Sequence, residues 1–168
     1  LAYLVKDELY ITGRRKDQLA TARAELAAQF PDTRIEMVPG DVCQEADVKA
    51  LLAYAHGLAG RLDIIVSAVG DAKFMPLLMR ELADVKAEFD INFTGAFLLT
   101  RHGVPLMQRG GTIVCISSTA VTQSLWGLGI YGAAKAALER FVRQAGFELG
   151  SAGIRINAVR PGLTVSDA

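Results

Sequence analysis

This chain of 168 residues has no excess of positive or negative charge, few cysteines and no long apolar run. Lys and Arg together number 18, as do Asp and Glu, so the formal net charge is zero. Proteins that bind nucleic-acid phosphates usually carry a basic excess, so the composition disfavours a nucleic-acid partner. No apolar run approaches the roughly 18 residues that cross a bilayer, which disfavours a membrane partner.

The two cysteines, Cys43 and Cys115, lie far apart in the sequence. They do not form the short spacing of a metal site or a redox pair, so no metal site is predicted. Lone cysteines in an aliphatic-rich chain are typical of a reducing compartment, and we therefore expect a cytoplasmic protein. Hydrophobic residues make up 51% of the chain, which is enough for a packed core. The length predicts a single domain over residues 1–168.

Strand-like and helix-like segments alternate along the chain. Two of the strand-like runs are almost continuously apolar, as in strands buried on both faces of a parallel sheet. The predicted strands are Glu8–Thr12, Arg34–Val38, Leu62–Gly70, Thr112–Ser118 and Ile154–Val159, and the predicted helices are Lys16–Phe30, Asp47–Leu58, Glu81–Met107 and Tyr131–Leu149. The alternation predicts an α/β fold with a doubly wound, Rossmann-like parallel sheet. Such a sheet binds its ligand outside the carboxyl ends of the strands.

Basic residues follow the first predicted strand, at Arg14 and Arg15, and no acidic residue ends that strand. In dinucleotide-binding folds an acidic side chain here accepts hydrogen bonds from the ribose 2′-OH, whereas an arginine meets a 2′-phosphate. Arg14 therefore indicates that NADP(H) is favoured over NAD(H). The alternative is a solvated basic residue at the start of a helix.

Two further strand ends carry candidate binding residues. Asp41 could accept a hydrogen bond from an adenine amino group while the amide of Val42 binds a ring nitrogen; alone, Asp41 fits an Asx turn better. Gly70, after the third strand, would let a ligand approach the backbone closely. Alone, the segment around Ala68 and Gly70 is a strand followed by an ordinary turn.

Ser118, Tyr131 and Lys135 form the strongest constellation in the sequence. Tyr131 and Lys135 are four residues apart, so their side chains share one face of a helix. A tyrosine is a poor acid or base near neutral pH, but a nearby ammonium lowers its pKa by favouring the phenolate. Ser118 could donate to the same substrate oxygen. The alternative for the pair alone is a core tyrosine with an exposed lysine.

Taken together, these motifs resemble those of the short-chain dehydrogenase/reductase family. The resemblance covers the whole chain and rests on Asp90–Asn92, Ile116–Ser118, Tyr131-x-x-x-Lys135 and Ile154–Gly162. Each motif is weak alone, but their order and spacing are specific.

The resemblance implies a role for each matching residue. Tyr131 would be the general acid in carbonyl reduction and the base in alcohol oxidation, and Lys135 would lower the pKa of Tyr131 and bind the nicotinamide ribose. Ser118 would orient and polarise the substrate carbonyl, and Asn92 would hold the central helix open for a water that links Lys135 to solvent. The implied cofactor-binding residues are Arg14, Asp41, Val42, Ala68, Gly70, Tyr131, Lys135, Pro161, Gly162 and Thr164, of which Asp41 and Val42 would hold adenine and the last three would flank the nicotinamide carboxamide.

The chain departs from the family pattern in three places. The usual Asn-Asn-Ala-Gly is here Ser67–Gly70, so Ser67 and the backbone would partly replace the lost asparagine hydrogen bonds. The first strand and its glycine-rich turn are absent, and Leu1–Val5 resembles the end of the helix that follows that turn. The sheet would therefore lose a central strand and leave neighbouring edges unpaired.

At the other end, the final strand and the segment that covers the substrate are absent, so we expect the 168 residues to be the ordered part of a longer protein. The alternative is a truncated chain. The remaining pocket wall would be Asp71–Phe74 and Thr119–Ile130. Trp126, in the second of these segments, would line the pocket or serve as a packing or subunit-contact residue.

The function expected from the resemblance is an oxidoreductase that transfers a hydride between NADP(H) and a ketone or secondary alcohol. Acyl-thioester, steroid, sugar and quinone substrates stay open. The alternative is a non-catalytic, cofactor-binding or structural relative. The resemblance also implies a homodimer or homotetramer, with subunit contacts on the helices around Phe89–Leu106 and Tyr131–Leu149.

Overall fold

The computed structural model describes residues 8–164, which contain alternating strands and helices in the predicted order. The strands are β1 (Glu8–Gly13), β2 (Arg34–Pro39), β3 (Leu62–Ser67), β4 (Met107–Ile116) and β5 (Arg155–Val159). The α-helices are α1 (Lys16–Gln29), α2 (Glu45–Ala59), α3 (Leu82–Phe89), α4 (Gly95–Gly103) and α5 (Gly129–Leu149). All strand pairs among these residues are parallel, which confirms the α/β class. No helix in this range is both long and apolar enough to cross a membrane.

The chain forms two compact units that divide between Arg61 and Leu62. In the first unit, β1 pairs with β2 in register from Glu8 opposite Arg34 to Gly13 opposite Pro39. Helix α2 buries one apolar stripe with the three- and four-residue spacing that its sequence predicts, formed by Val48, Leu51, Leu52 and Ala55. The expectation of one domain over residues 1–168 stays a prediction.

In the second unit, three strands lie in the order β3-β4-β5, so β4 is central. Two residues of β4, Ile113 and Cys115, are among the most deeply buried in the chain. Burial raises the pKa of the Cys115 thiol to about 11, so this cysteine stays protonated and packs as a core residue. On either side of Cys115 in the ladder lie Ser67 of β3 and Ala158 of β5.

The single long helix predicted over Glu81–Met107 is wrong. Helix α3 ends at Phe89, a π-helical turn spans Asp90–Thr94, α4 follows, and a 3-10 turn closes the segment at Val104–Leu106. Met107 already belongs to β4, where it lies opposite Leu62. Pro105 has no backbone N–H to continue the α-helical ladder, which accounts for the tightened end.

The described strands form two separate sheets, β1-β2 and β3-β4-β5. Within residues 8–164, β1 pairs on one side only, and so does β3. The expected helix end at Leu1–Val5 lies outside the described residues.

Candidate active site

Lys135 is a buried cation in the second turn of α5. The residue is 2% exposed, and its Nζ donates to the Ile116 carbonyl at 2.8 Å. Nζ lies 5.8 Å from the centre of the Tyr131 ring, one turn earlier on the same helix face. Burial lowers the pKa of the Lys135 ammonium, because removal from water disfavours the charged form.

Asn92 lies in the π-helical turn and is 2% exposed. Its Nδ2 donates to the carbonyls of Asp71 at 2.7 Å and Glu88 at 2.9 Å, and its Oδ1 accepts from the Asp71 amide at 3.3 Å. A Cβ at Gly70 would lie 2.9 Å from Asn92 Oδ1 and 3.0 Å from Lys135 Nζ. Glycine at position 70 therefore allows the chain after β3 to contact Asn92 and Lys135, and three predicted site residues come together.

Ser118 follows the end of β4 in an extended conformation. Its Oγ accepts a hydrogen bond from the Ala120 amide at 3.1 Å, which starts a 3-10 turn over Thr119–Val121. A Cβ at Gly132 would lie 2.8 Å from the Ala120 carbonyl oxygen. Because Gly132 follows Tyr131 directly, this backbone approach fixes the first turn of α5 against the turn that carries Ser118.

Pro161 lies beside the Ser118 turn, because the Thr119 amide donates to the Pro161 carbonyl at 3.1 Å. The other residues predicted at the nicotinamide end, Gly162 and Thr164, are exposed, and the Thr164 hydroxyl donates to the Gly162 carbonyl at 3.2 Å. Ala68, just past β3, is also exposed. Backbone groups of these residues can therefore reach a ligand.

Glu139 joins the ends of two strands to α5. Its carboxylate accepts two hydrogen bonds from the Arg160 guanidinium, at 2.6 and 2.5 Å, and one from Ser117 Oγ at 2.8 Å. These hydrogen bonds, with that from Arg160 the largest contribution, hold the pKa of Glu139 below its usual range. Ser117 precedes Ser118 and Arg160 precedes Pro161, so this cluster supports both loops of the site.

Arg80 and Glu88 form an almost fully buried ion pair, with Nη1 3.0 Å from Oε1 and side chains 2% and 7% exposed. The Arg80 guanidinium also donates to the Met75 carbonyl at 3.3 Å, to the Gly127 carbonyl at 3.1 Å and to the Lys73 carbonyl. The pair thus connects the chain after β3 with the loop that precedes α5.

The adenine-side candidates belong to the first unit. Arg14 is exposed directly after β1. Asp41 Oδ1 accepts from the Cys43 amide at 3.0 Å, which is the Asx turn considered as the alternative for this residue. Val42 is a buried core residue, 6% exposed. Only backbone groups of Val42 are therefore placed to contact a ligand.

Several supporting residues were missed by the sequence analysis. Two of them had a signal, since Glu88 is four residues before Asn92 and Glu139 is four residues after Lys135, on shared helix faces. The others had none, because their partners are distant in sequence: Arg80, Ser117 and Arg160. Among residues 8–164, no group of His, Cys, Asp or Glu side chains could hold a metal ion.

The parallel α/β fold, with Ser118 past a strand end and a Tyr131–Lys135 pair on the following helix, defines a class of nucleotide-dependent enzyme folds. A family model described as enoyl-(acyl carrier protein) reductase matches residues 7–168. The chain belongs to the short-chain dehydrogenase/reductase family.

Curated relatives agree with this family. The chain is 32% identical over 130 residues to the 7alpha-hydroxysteroid dehydrogenase of Escherichia coli K12, an alignment covering 76% of this chain and 51% of that protein. It is 34% identical over 132 residues to the 3-oxoacyl-[acyl-carrier-protein] reductase of Synechocystis, covering 77% and 53%. The chain thus spans about half the length of these relatives.

Solved structures share the fold. A short-chain type dehydrogenase/reductase from Mycobacterium ulcerans superposes with a TM-score of 0.92 at 30% identity, covering 99% of this chain and 62% of that one. L-sorbose reductase from Gluconobacter frateurii, complexed with NADPH and L-sorbose, superposes with a TM-score of 0.90 at 27% identity, covering 95% and 61%.

Proposed function

We propose that this chain forms part of an oxidoreductase that transfers a hydride between NADP(H) and a ketone or secondary alcohol. The observation that carries the proposal is the buried ammonium of Lys135, 5.8 Å from the ring of Tyr131. A buried cation beside a phenol is a costly arrangement, and it suits a phenol that must give up and regain a proton.

The residues of the second unit fit the nicotinamide end of such a cofactor. Lys135 uses one of its three N–H donors on the Ile116 carbonyl, and the other two suit the hydroxyls of a ribose. Gly70, which has no side chain, lies against Lys135 and Asn92, and the exposed backbone of Ala68, Gly162 and Thr164 offers further contacts. The nicotinamide ring would supply or accept the hydride.

Tyr131 would donate the proton that the forming alkoxide needs, and would accept it in the reverse direction. The Lys135 side chain lies beside the Tyr131 ring on the same helix face, next to the site of this transfer. Ser118 Oγ already accepts a hydrogen bond from the Ala120 amide, so its O–H is free to be donated to the substrate oxygen. Asn92 would keep the π-helical turn and Gly70 in place beside Lys135.

For the adenine end, we propose Arg14 as the partner of a 2′-phosphate, since its guanidinium is exposed and carries forked donors. Asp41 and the backbone of Val42 are proposed to bind adenine. Asp41 Oδ1 accepts the hydrogen bond of the Asx turn, so its other carboxylate oxygen would accept from adenine. The cytoplasmic location and the homodimer or homotetramer stay predictions.

The substitution Tyr131→Phe tests the proposal. We expect NADPH-dependent ketone reduction to fall by about 100-fold or more, because general acid catalysis is worth about that much. The measurement is the loss of reduced-cofactor absorbance with a panel of ketones, on the purified protein with any natural sequence that flanks residues 1–168.

Tyr54→Phe, on the half-exposed face of α2, is the matched control and should leave the rate unchanged. A Tyr131→Phe protein with the wild-type rate would show that Tyr131 is not the acid. Wild-type protein that binds NADPH but reduces no ketone would favour the non-catalytic alternative.

A further inference from the structure

The loop that joins Ser118 to Tyr131 accepts a hydrogen bond from the guanidinium of Arg80, which lies in a different segment of the chain. This loop passes through Trp126 and Gly127 before α5 begins at Gly129. Gly127 has a φ of +75°, and a Cβ there would lie 3.0 Å from the Met75 amide nitrogen, so the loop and the chain after β3 meet backbone to backbone. The Met75 amide donates to the Gly127 carbonyl at 3.1 Å, and Arg80 Nη2 donates to the same carbonyl at 3.1 Å.

Glu88 holds Arg80 in this position. Its Oε1 accepts from Arg80 Nη1 at 3.0 Å and from the Lys73 amide at 2.7 Å. Its Oε2 is buried without a hydrogen-bond partner among the described residues. Removing such a pair from water is costly, and an apolar pair of the same volume is often no less stable. A role in geometry therefore explains the pair better than a role in stability does.

The backbone of Glu88 also contacts the candidate active site. The Glu88 carbonyl accepts from Asn92 Nδ2 at 2.9 Å, and Asn92 contacts the chain at Asp71. The Arg80–Glu88 pair therefore connects the loop around Trp126 and Gly127 to the π-helical turn of Asn92. That turn lies against Gly70 and Lys135.

We propose that Arg80 is a positioning residue for the ketone: it fixes the loop between Ser118 and Tyr131 and so sets how the carbonyl is presented to both hydroxyls. This inference rests on the proposed function. The guanidinium touches neither substrate nor the reacting atoms, and it acts through the backbone carbonyls that it binds. Lysine cannot replace it, because an ammonium lacks the planar fork that reaches several carbonyls and a carboxylate at once.

Three variants separate positioning from stability. Arg80→Met leaves the Glu88 carboxylate buried and unpaired, so we expect a large fall in melting temperature. The double variant Arg80→Met with Glu88→Leu removes both charges, and its melting temperature should return close to that of the wild type. Arg80→Lys keeps the ion pair but loses most of the carbonyl contacts.

In the double variant and in Arg80→Lys, we expect kcat/KM for the ketone to fall by about tenfold or more, since small misplacements in an active site cost that much in rate. The dissociation constant for NADPH should stay within about twofold, because the hydrogen-bond partners of Arg80 among residues 8–164 are Met75, Glu88, Lys73 and Gly127, which are not proposed to hold the cofactor. Arg155→Met is the matched control: Arg155 donates to Thr112 at the amino end of the sheet and is exposed, so its loss should change neither value.

A second measurement needs no activity. Trp126 is the only tryptophan of the 168 residues and is 75% exposed, so its time-resolved fluorescence anisotropy reports the motion of this loop once any tryptophan in flanking sequence is replaced by phenylalanine. We expect faster local motion of Trp126 in the double variant and in Arg80→Lys than in the wild type or Arg155→Met.

Each outcome decides the matter. A double variant that regains the melting temperature and keeps the wild-type kcat/KM for the ketone, or that leaves Trp126 motion unchanged, would show that Arg80 serves stability only. If the wild type reduces no ketone, the proposed function fails, and the Trp126 measurement still decides whether Arg80 fixes the loop.

Discussion

Lys135 and Arg14 are both cations of the candidate site, but they differ in their exposure to water. Lys135 is almost fully buried, so its charge acts over a short distance in a medium that screens it weakly. Arg14 is exposed, so its charge is screened and only a direct contact gives it an effect. At the scale of the residue, the buried cation is suited to holding neighbouring groups within the fold, and the exposed cation is suited to recognising an anion.

The substitution Arg14→Asp is expected to shift cofactor preference from NADPH toward NADH. A guanidinium–phosphate contact is worth about 1.5–3 kcal/mol, so the ratio of kcat/KM values for the two cofactors should fall by about tenfold or more. The measurement is ketone reduction with each cofactor.

Arg15→Asp makes the same change of charge one residue later, at the N-cap of α1, and serves as the control. An unchanged preference in Arg14→Asp, or an equal shift in the control, would rule out a 2′-phosphate contact by Arg14.

At the scale of the element, α5 carries Tyr131, Lys135 and Glu139 at intervals of four on one face. The first two belong to the proposed chemistry, and the third ties the helix to Ser117 and Arg160 at the ends of β4 and β5. The helix is thus anchored to the sheet about two turns after Tyr131, the proposed proton donor.

Glu139 makes the stability of this unit depend on pH. Its folded-state pKa lies below the ordinary value of 4.5, so its contribution is complete above that value and is lost as the pH falls through the folded-state pKa. Glu139→Gln should lower the free energy of unfolding by about 1–3 kcal/mol at neutral pH and should lose less stability than the wild type on acidification. Urea unfolding at neutral pH and at about pH 4 measures both effects.

Glu148→Gln removes an exposed carboxylate from the same helix and is the control for effects of low pH that do not involve Glu139. Equal acid sensitivity in Glu139→Gln and the wild type would show that the Arg160 contact does not stabilise the fold.

The elements show what the sequence could predict and where it failed. Apolar spacing placed α1, α2 and α5 within a few residues. Helices α2 and α5 each bury a regular stripe, whereas α1 buries only Leu19 and takes its bounds from weaker apolar spacing. It failed over Glu81–Met107, because the π-helical turn at Asp90–Thr94 depends on Asn92 bonding Asp71, a contact between segments that are distant in sequence. The Arg80–Glu88 pair was not predicted for the same reason. Two charged residues on a polar segment are expected to be exposed, and their burial depends on the rest of the fold.

At the scale of the whole molecule, the two units have different amounts of sheet. The first has a two-stranded sheet, β1 with β2, whereas the second has β4 between two partners. Two-stranded sheets are marginal by themselves and depend on packing against helices. Cooperative units of unequal stability open separately in native proteins.

We expect backbone amides of β2 to exchange with deuterium at lower denaturant concentration than those of β4. The physical reason is that a central strand is hydrogen-bonded on both sides and opens with most of its unit, whereas a strand of a two-stranded sheet opens with the loss of one partner. Hydrogen exchange followed by mass spectrometry on peptides from Arg34–Pro39 and Thr112–Ile116 measures the difference. Equal denaturant dependence in the two peptides would instead support the single cooperative domain that the length predicts.

Within the part of the chain that the structure describes, the one-sided pairing of β1 and β3 also bears on aggregation at high protein concentration. A strand edge with free N–H and C=O groups is a template for any other extended chain, including another copy of itself. Both strands are rich in the β-branched and aromatic residues that such templating favours, among them Ile11, Ile64 and Val66. Any strand that pairs with these edges would therefore protect the protein from aggregation, because it would cover the surfaces on which polymers of this protein could nucleate.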